Sequence, residues 1–209
     1  MIELAAFLGN PGKEYSRNRH SVGFLLAEKL PFYGALSWQK KFKGLYAARE
    51  GIHYIKPQTY MNLSGESVFQ AAAFFKIKPS AILVVHDELE LPLGTISLKF
   101  AGGLGGHNGL RSMKATFGTA DFWRIRIGIG RPDSRLPGEG GPPGSGEGIV
   151  DWVLSNFNAA EGETLGRVLE TGAELLLKTL GEDPEGLLKE WGKKKIPPVP
   201  EIEEAHESG

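Results

Sequence analysis

Cysteine is absent from the 209 residues, which removes a disulfide framework, a thiolate nucleophile and every cysteine-ligated zinc or iron–sulfur site. No apolar run approaches the roughly 18 residues of a membrane span. The first apolar stretch, Ile2 to Leu8, contains Glu3, stops at Gly9 and lacks the basic flank of a signal peptide. It reads as a strand, and the chain as a cytoplasmic protein with no membrane contact. An excess of either charge is missing too: 24 Lys plus Arg face 25 Asp plus Glu, so no global field draws in nucleic acid. Four of the acidic residues are Glu within 196–209, a stretch with no Lys or Arg, which leaves the body before it slightly basic. Local groups matter more than the sum, because salt screens charges beyond roughly 8 Å. Lys40, Lys41, Lys43 and Arg49 form one such group.

What is present is a chain long enough for one domain with a sizeable core, 41% hydrophobic and without internal repeats. The strand at 2–8 ends in Gly9-Asn10-Pro11-Gly12, turn chemistry that forces the backbone round. Apolar Val22, Leu25, Leu26 and Leu30 share a helical face over about 21–30. Residues 45–48 and 53–56 flank Glu50-Gly51 as a hairpin, and Ser64 is placed to cap a helix running to about Lys76. Residues 81–86 (AILVVH) are almost wholly apolar and β-branched, as a central strand covered on both faces requires. A strand over 95–100, a Gly-rich turn over 101–106 and a helix over 108–117 follow. Residues 122–129 alternate, which predicts a half-exposed strand with Arg124 and Arg126 on its basic face. The Gly- and Pro-rich stretch 132–148 reads as a loop, 159–180 and 184–195 as helices, and 196–209 as a flexible acidic tail. Strands interleaved with helices define an α/β fold, a single compact domain over 1–195. Its twisted β-sheet is flanked by helices, and is mixed because the hairpin demands antiparallel pairing.

Four polar clusters fall where strands end or helices begin, the edge at which open α/β sheets build sites. They are Asn10 with His20, Tyr60-Met61-Asn62, His86-Asp87-Glu88 and Gly105-Gly106-His107-Asn108. Together they hold an imidazole, a carboxylate and carboxamides, an inventory suited to hydrolysis by an activated water. Each residue alone has a plainer reading: His20 as an N-cap or surface histidine, Asp87 as a cap, Met61 as core, the Gly-rich segment as a tight connection. Strand alternation puts His86 and Asp87 on opposite sides, so only one can share a cleft with His20; Asp87 is the choice. The ring of Tyr60 could stack on a terminal adenine, with Asn62 holding a carbonyl. Lys99, Arg124 and Arg126 could meet phosphates or form a solvated face.

In order and spacing these segments resemble the bacterial-type peptidyl-tRNA hydrolase family. LGNPGKEYSRNRHSVGF at 8–24, KPQTYMNLSG at 56–65, HDELELPLG at 86–94, GGHNGLRSM at 105–113 and RIRIGIGRP at 124–132 carry the likeness. It implies a monomeric cytoplasmic enzyme without cofactor or metal that cleaves the ester between a peptide and the 3′ end of tRNA. By this resemblance His20 is the general base and Asp87 the carboxylate that holds it. Asn10, Asn62 and Asn108 then grip the peptide main chain or tRNA end, and Tyr15 and Tyr60 contact the tRNA; apart from the resemblance, Met61, His107, Lys99 and Arg126 complete the expected substrate-binding set. Asn10 is also where selectivity is placed, since a desolvated ammonium facing a carboxamide would cost several kcal/mol, on the order of a thousandfold in rate. Tyr60 stands where phenylalanine is common, and Leu104 interrupts the Gly-rich turn. The stretch 132–148 and the tail lie outside the likeness.

Three other readings compete. A non-catalytic RNA-binding module would use Lys40, Lys41, Lys43, Lys99, Arg124 and Arg126 and leave His20 incidental. A metal-dependent hydrolase would take His20, His86, His107 and Asp87 as ligands. A nucleotide-binding Rossmann enzyme lacks its glycine fingerprint, and the Gly-rich segment lacks the Lys-Ser/Thr of a P-loop.

Overall fold

A computed structural model describes residues 1–132 and 146–197. In chain order its elements are β1 (Leu4–Phe7), α1 (Val22–Glu28), β2 (Gln39–Lys41), β3 (Gly44–Arg49), β4 (Ile52–Pro57), α2 (Ser64–Phe75), β5 (Ile82–Glu88), β6 (Thr95–Phe100), α3 (Asn108–Phe117), β7 (Trp123–Gly128), α4 (Gly146–Leu154), α5 (Ala159–Gly181), α6 (Pro184–Trp191) and β8 (Lys194–Lys195). The strands form one sheet in the order β2-β3-β4-β1-β5-β7-β6-β8. The four central strands, β4, β1, β5 and β7, run parallel, and the outer pairs are antiparallel. Strand periodicity divides the core accordingly. Ala5, Phe7, Leu83, Val85, Ile125 and Ile127 face α1, α5 and α6, while Leu4, Ala6, Leu8, Ile82 and Val84 face α2 and α3. β5 is buried along its whole length, as its uninterrupted apolar sequence requires.

Where the architecture departs from the sequence-based expectation, a tertiary contact is the reason. Arg124 does not lie on a half-exposed face but is 1% exposed, whereas Arg126 is partly exposed. β7 is an interior strand, and the loop after β6 folds across it, so that Arg124 donates to the carbonyls of Gly103 (2.8 Å) and Ala101. Ser64 does not cap α2, because a 3₁₀ turn at Met61–Leu63 leads straight into the helix. The free Gly65 N–H is instead met by Ser112 Oγ of α3 at 2.9 Å, an orphan donor satisfied from another helix. α4 begins at Gly146 and so takes the end of the predicted 132–148 loop; residues 133–145 lie outside the described ones. α6 stops at Trp191, and Lys194–Lys195 pair with β6 where a longer helix was expected. Of the predicted tail, Ile196 and Pro197 are described, and the Ile196 N–H bonds Gly94 O at 2.7 Å.

One glycine fixes how closely α1 approaches the sheet. A Cβ at Gly23 would sit 2.3 Å from Leu8 O, 2.6 Å from Leu8 N and 2.7 Å from Val85 O, all backbone atoms of the central strands or their continuation. Gly23→Ala would gain about 1 kcal/mol in an exposed helix. Here it is expected to cost roughly 1–3 kcal/mol by overpacking, read as a lower unfolding midpoint in denaturant. An unchanged or raised midpoint would contradict the close approach.

Candidate active site

β1 and β5 are parallel neighbours, so their C-terminal ends open on the same edge of the sheet. Leu8 N continues the pairing to Val85 O at 2.9 Å, after which the Gly9–Gly12 turn carries the chain away. It returns in a 3₁₀ turn, Arg19–Ser21, that flows into α1 and is buried throughout. His20 therefore reaches the sheet edge from α1's side. Asp87 shares the parity of Leu83 and Val85, whose side chains face that helix. The two meet: His20 Nδ1 lies 2.8 Å from Asp87 Oδ1.

A second imidazole completes the arrangement. His107 precedes α3, and its Nδ1 accepts from the N–H groups of Gly109 (3.1 Å) and Leu110 (3.3 Å). That nitrogen carries no proton, so Nε2 is the donor to Asp87 Oδ1 at 2.9 Å. Gly105 and Gly106, at φ +58° and +76°, provide the left-handed turn that delivers His107 there. His107, expected among substrate contacts, is thus a partner of Asp87. Histidine is not a favoured N-cap, so nothing in local sequence signalled this.

Burial opposes charge on His20, but the charge and hydrogen bond of Asp87 outweigh it and raise its pKa above 6.5. Burial likewise opposes ionised Asp87, yet the electrostatic pull and hydrogen bonds of the two imidazoles against it, His20 and His107, hold its carboxyl well below the usual carboxylate range. Asp87 is therefore the fixed anion and His20 the group poised to titrate. The ligand atoms of His20, Asp87 and His107 lie within 4.8 Å of one another, close enough to hold a metal ion; His107 would have to lose its Nε2 proton to serve. His86 is not in that group. Its Nδ1 meets the Asp87 backbone oxygen at 2.6 Å, and burial, then the neighbouring His107 imidazole, push its pKa well below 6.5.

Beside the pair is a cavity of about 70 Å³ bounded by Glu88, Gly106, Asn108 and, from α4, Ile149, Val150 and Val153. That exceeds the roughly 10–15 Å³ a water needs. The α4 wall was not foreseen, since its apolar spacing begins at the end of a Gly-rich stretch. Asn10 is 7% exposed; its Oδ1 accepts from Met61 N at 2.8 Å, and its Nδ2 makes no hydrogen bond among the described residues. Met61 itself is 4% exposed, and its amide is the group that meets Asn10. Tyr60 is 61% exposed, Asn62 and Asn108 are exposed, and Tyr15 is half-buried. Arg126 is engaged by Ser97 Oγ at 2.7 Å and Glu88 at 3.5 Å. Lys99, half-buried beside it, has its pKa lowered by burial and then by the Arg126 and Arg124 charges. Lys40, Lys41 and Lys43 line one groove near Gln58 and Thr59, but Arg49 lies at the far end of β3, paired with Glu50 at 2.8 Å.

The α/β fold holds a buried imidazole–carboxylate contact at the C-terminal edge of a mixed sheet, an arrangement suited to activating a water. A family model described as peptidyl-tRNA hydrolase matches residues 4–198. A peptidyl-tRNA hydrolase of Treponema pallidum (strain Nichols) is 44% identical over 205 residues, 93% of this chain and 96% of that protein. One of Rhodospirillum centenum is 46% identical over 187 residues, 87% of this chain and 77% of that protein. The crystal structure of peptidyl-tRNA hydrolase from Acinetobacter baumannii superposes with a TM-score of 0.74 at 34% identity, covering 91% of this chain and 96% of that one. The chain belongs to the peptidyl-tRNA hydrolase family.

Proposed function

We propose that the chain hydrolyses the ester between a peptide, or an N-blocked amino acid, and the 3′ end of tRNA, with His20 as general base. The observation that carries this reading is the 2.8 Å contact of His20 Nδ1 with Asp87 Oδ1, which leaves His20 Nε2 without a partner among the described residues. With Nδ1–H donated to the carboxylate, Nε2 holds the lone pair that takes a proton from water. The oxygen of that water attacks the peptidyl carbonyl carbon. The tetrahedral intermediate then expels the 3′ ribose oxygen, which recovers the proton from His20, so peptide and tRNA leave in their free forms. The carboxamide N–H groups of Asn10, Asn62 and Asn108 are the donors for the developing oxyanion and the peptide main chain. Tyr15 and Tyr60 take the tRNA end, and Lys99 and Arg126 the phosphates. We place the protein in the cytoplasm as a monomer, where translation supplies its substrate.

The test is release of an N-blocked aminoacyl group from tRNA by wild type and His20→Ala across pH. Selectivity for the blocked form is assigned to Asn10, whose Oδ1 is held by Met61 N so that its N–H₂ is oriented toward a substrate carbonyl. Asn10→Ala is expected to narrow the cleavage ratio of blocked to unblocked aminoacyl-tRNA by at least about tenfold. An unchanged ratio would remove Asn10 from this role.

A further inference from the structure

Resting on the reading of His20 as the base, we propose that Arg19 is a positioning residue. Its guanidinium clamps the turn that carries His20 to α4 and α5, and so sets the approach of His20 to Asp87. Arg19 is 3% exposed and stands next to His20 in a turn whose residues all face inward. A buried cation is expensive where it is left unmet; here Ser155, Glu161, Trp152 and Phe157 meet it, and only Nη1 lacks a hydrogen-bond partner among the described residues. Nε donates to Ser155 Oγ at 3.2 Å. Nη2 donates to both oxygens of Glu161 at 3.0 and 2.9 Å. The planar group lies 3.7 Å above the Trp152 ring and 4.6 Å from that of Phe157. The main chain adds a bond from Arg19 N to Ser155 O at 3.0 Å and a bridge between Asn18 and Asn156.

Each partner lies at a junction. Glu161 also accepts from Asn158 N at 2.9 Å, closing the capping box that starts α5. Trp152 sits in α4 and donates through Nε1 to Gly130 O at 2.8 Å. Gly130 N and Ile129 N in turn bond Leu91 O (2.9 Å) and Glu88 O (3.1 Å), just past Asp87. The end of α4 is therefore tied to both halves of the pair, to His20 through Arg19 and to Asp87 through Trp152. The same helix supplies Ile149, Val150 and Val153 to the cavity beside them. An aliphatic residue could fill this space but could not fix three bodies at defined angles. A lysine would keep the charge but lose both the fork and the flat stacking face.

The experiment combines steady-state hydrolysis with direct titration of the His20 ring by NMR in Arg19→Lys, Arg19→Met and Glu161→Gln. Loss of the clamp is expected to lower kcat by about tenfold or more in Arg19→Lys, with KM changed by less than roughly threefold. The His20 midpoint should fall toward its ordinary value as contact with Asp87 loosens, and the acid limb of the activity profile should follow. Glu161→Gln, which keeps an acceptor oxygen, is expected to lie between wild type and Arg19→Met. If Arg19→Met does not fold, Trp152→Phe replaces it, retaining an aromatic face while deleting the bond to Gly130. The proposal is overturned if folded variants keep the wild-type His20 midpoint and kcat. It is equally overturned if activity falls only with the folded fraction while the midpoint stays fixed. The ring titration needs no turnover, so a failure of His20 as base and a failure of Arg19 as its clamp give different results.

Discussion

His20→Ala is expected to lower kcat for peptide release by roughly 10²–10⁴-fold, the range that a positioned general base contributes. That corresponds to about 2.7–5.5 kcal/mol of barrier. KM should change little, because the variant leaves the proposed substrate contacts of the carboxamides and of the exposed Tyr60 ring in place. The fold should survive, since Asp87 keeps His107 as a hydrogen-bond donor at 2.9 Å and is not left buried without a partner. The measurement is single-turnover release of an N-blocked aminoacyl group, alongside the affinity for deacylated tRNA. A variant with near-normal turnover would end the assignment and favour an RNA-binding module. The wild-type pH profile gives an independent reading. Because His20 has a raised pKa, its neutral, proton-accepting form is populated only as pH rises through a midpoint above about 6.5. Its contribution to stability runs the other way: fully present below the unfolded value near 6.5, it is lost as pH rises through the raised folded value. Activity should therefore grow over the window in which this part of the stability declines.

Asp87→Asn is expected to cost roughly 10²–10³-fold in kcat while leaving KM within about threefold. The carboxamide oxygen can still accept from both imidazoles, so the variant removes charge more than geometry. Burial then acts on His20 unopposed, its pKa falls, and the imidazolium formed during water attack loses its counter-ion. The acid limb of the profile should move below about 6.5 together with the loss of rate. A limb that stays in place would mean that Asp87 orients His20 without holding its charge. The wild-type carboxylate has the opposite linkage from His20. Its lowered pKa contributes stability above the ordinary carboxylate value and loses it as pH falls through the depressed one. Asp87→Asn should therefore flatten the acid side of the stability curve.

Residue order and type were enough to locate the elements that carry the site. The apolar run at 82–85 could only be a strand covered on both faces, and the turn chemistry at 9–12 had to end β1 at the sheet edge. Alternation alone separated His86 from Asp87, because successive side chains in a strand face opposite ways whatever surrounds them. These are local consequences of backbone geometry; they allowed only one of His86 and Asp87 to meet His20, and the family resemblance pointed to Asp87. What lay beyond local geometry was not legible. Arg124 and Arg126 alternate like solvent-facing residues, but the loop folded over β7 makes Arg124 an internal donor to Ala101 and Gly103, and the flanking strands engage the partly buried Arg126 through Ser97 and Glu88. His107 resembles a ligand-binding histidine until α3 is placed, when two of the helix's amides fix its tautomer and commit its other nitrogen to Asp87. Arg19 has no local signal at all, since its partners lie 136 and 142 residues further along the chain. By itself, then, the sequence determined the α/β elements and pointed to the meeting of one imidazole with one carboxylate at the sheet edge. Tertiary structure decided which cation of β7 is buried, which second histidine meets the carboxylate and what Arg19 bonds. Those outcomes depend on contacts between segments far apart in the chain, which no periodicity encodes.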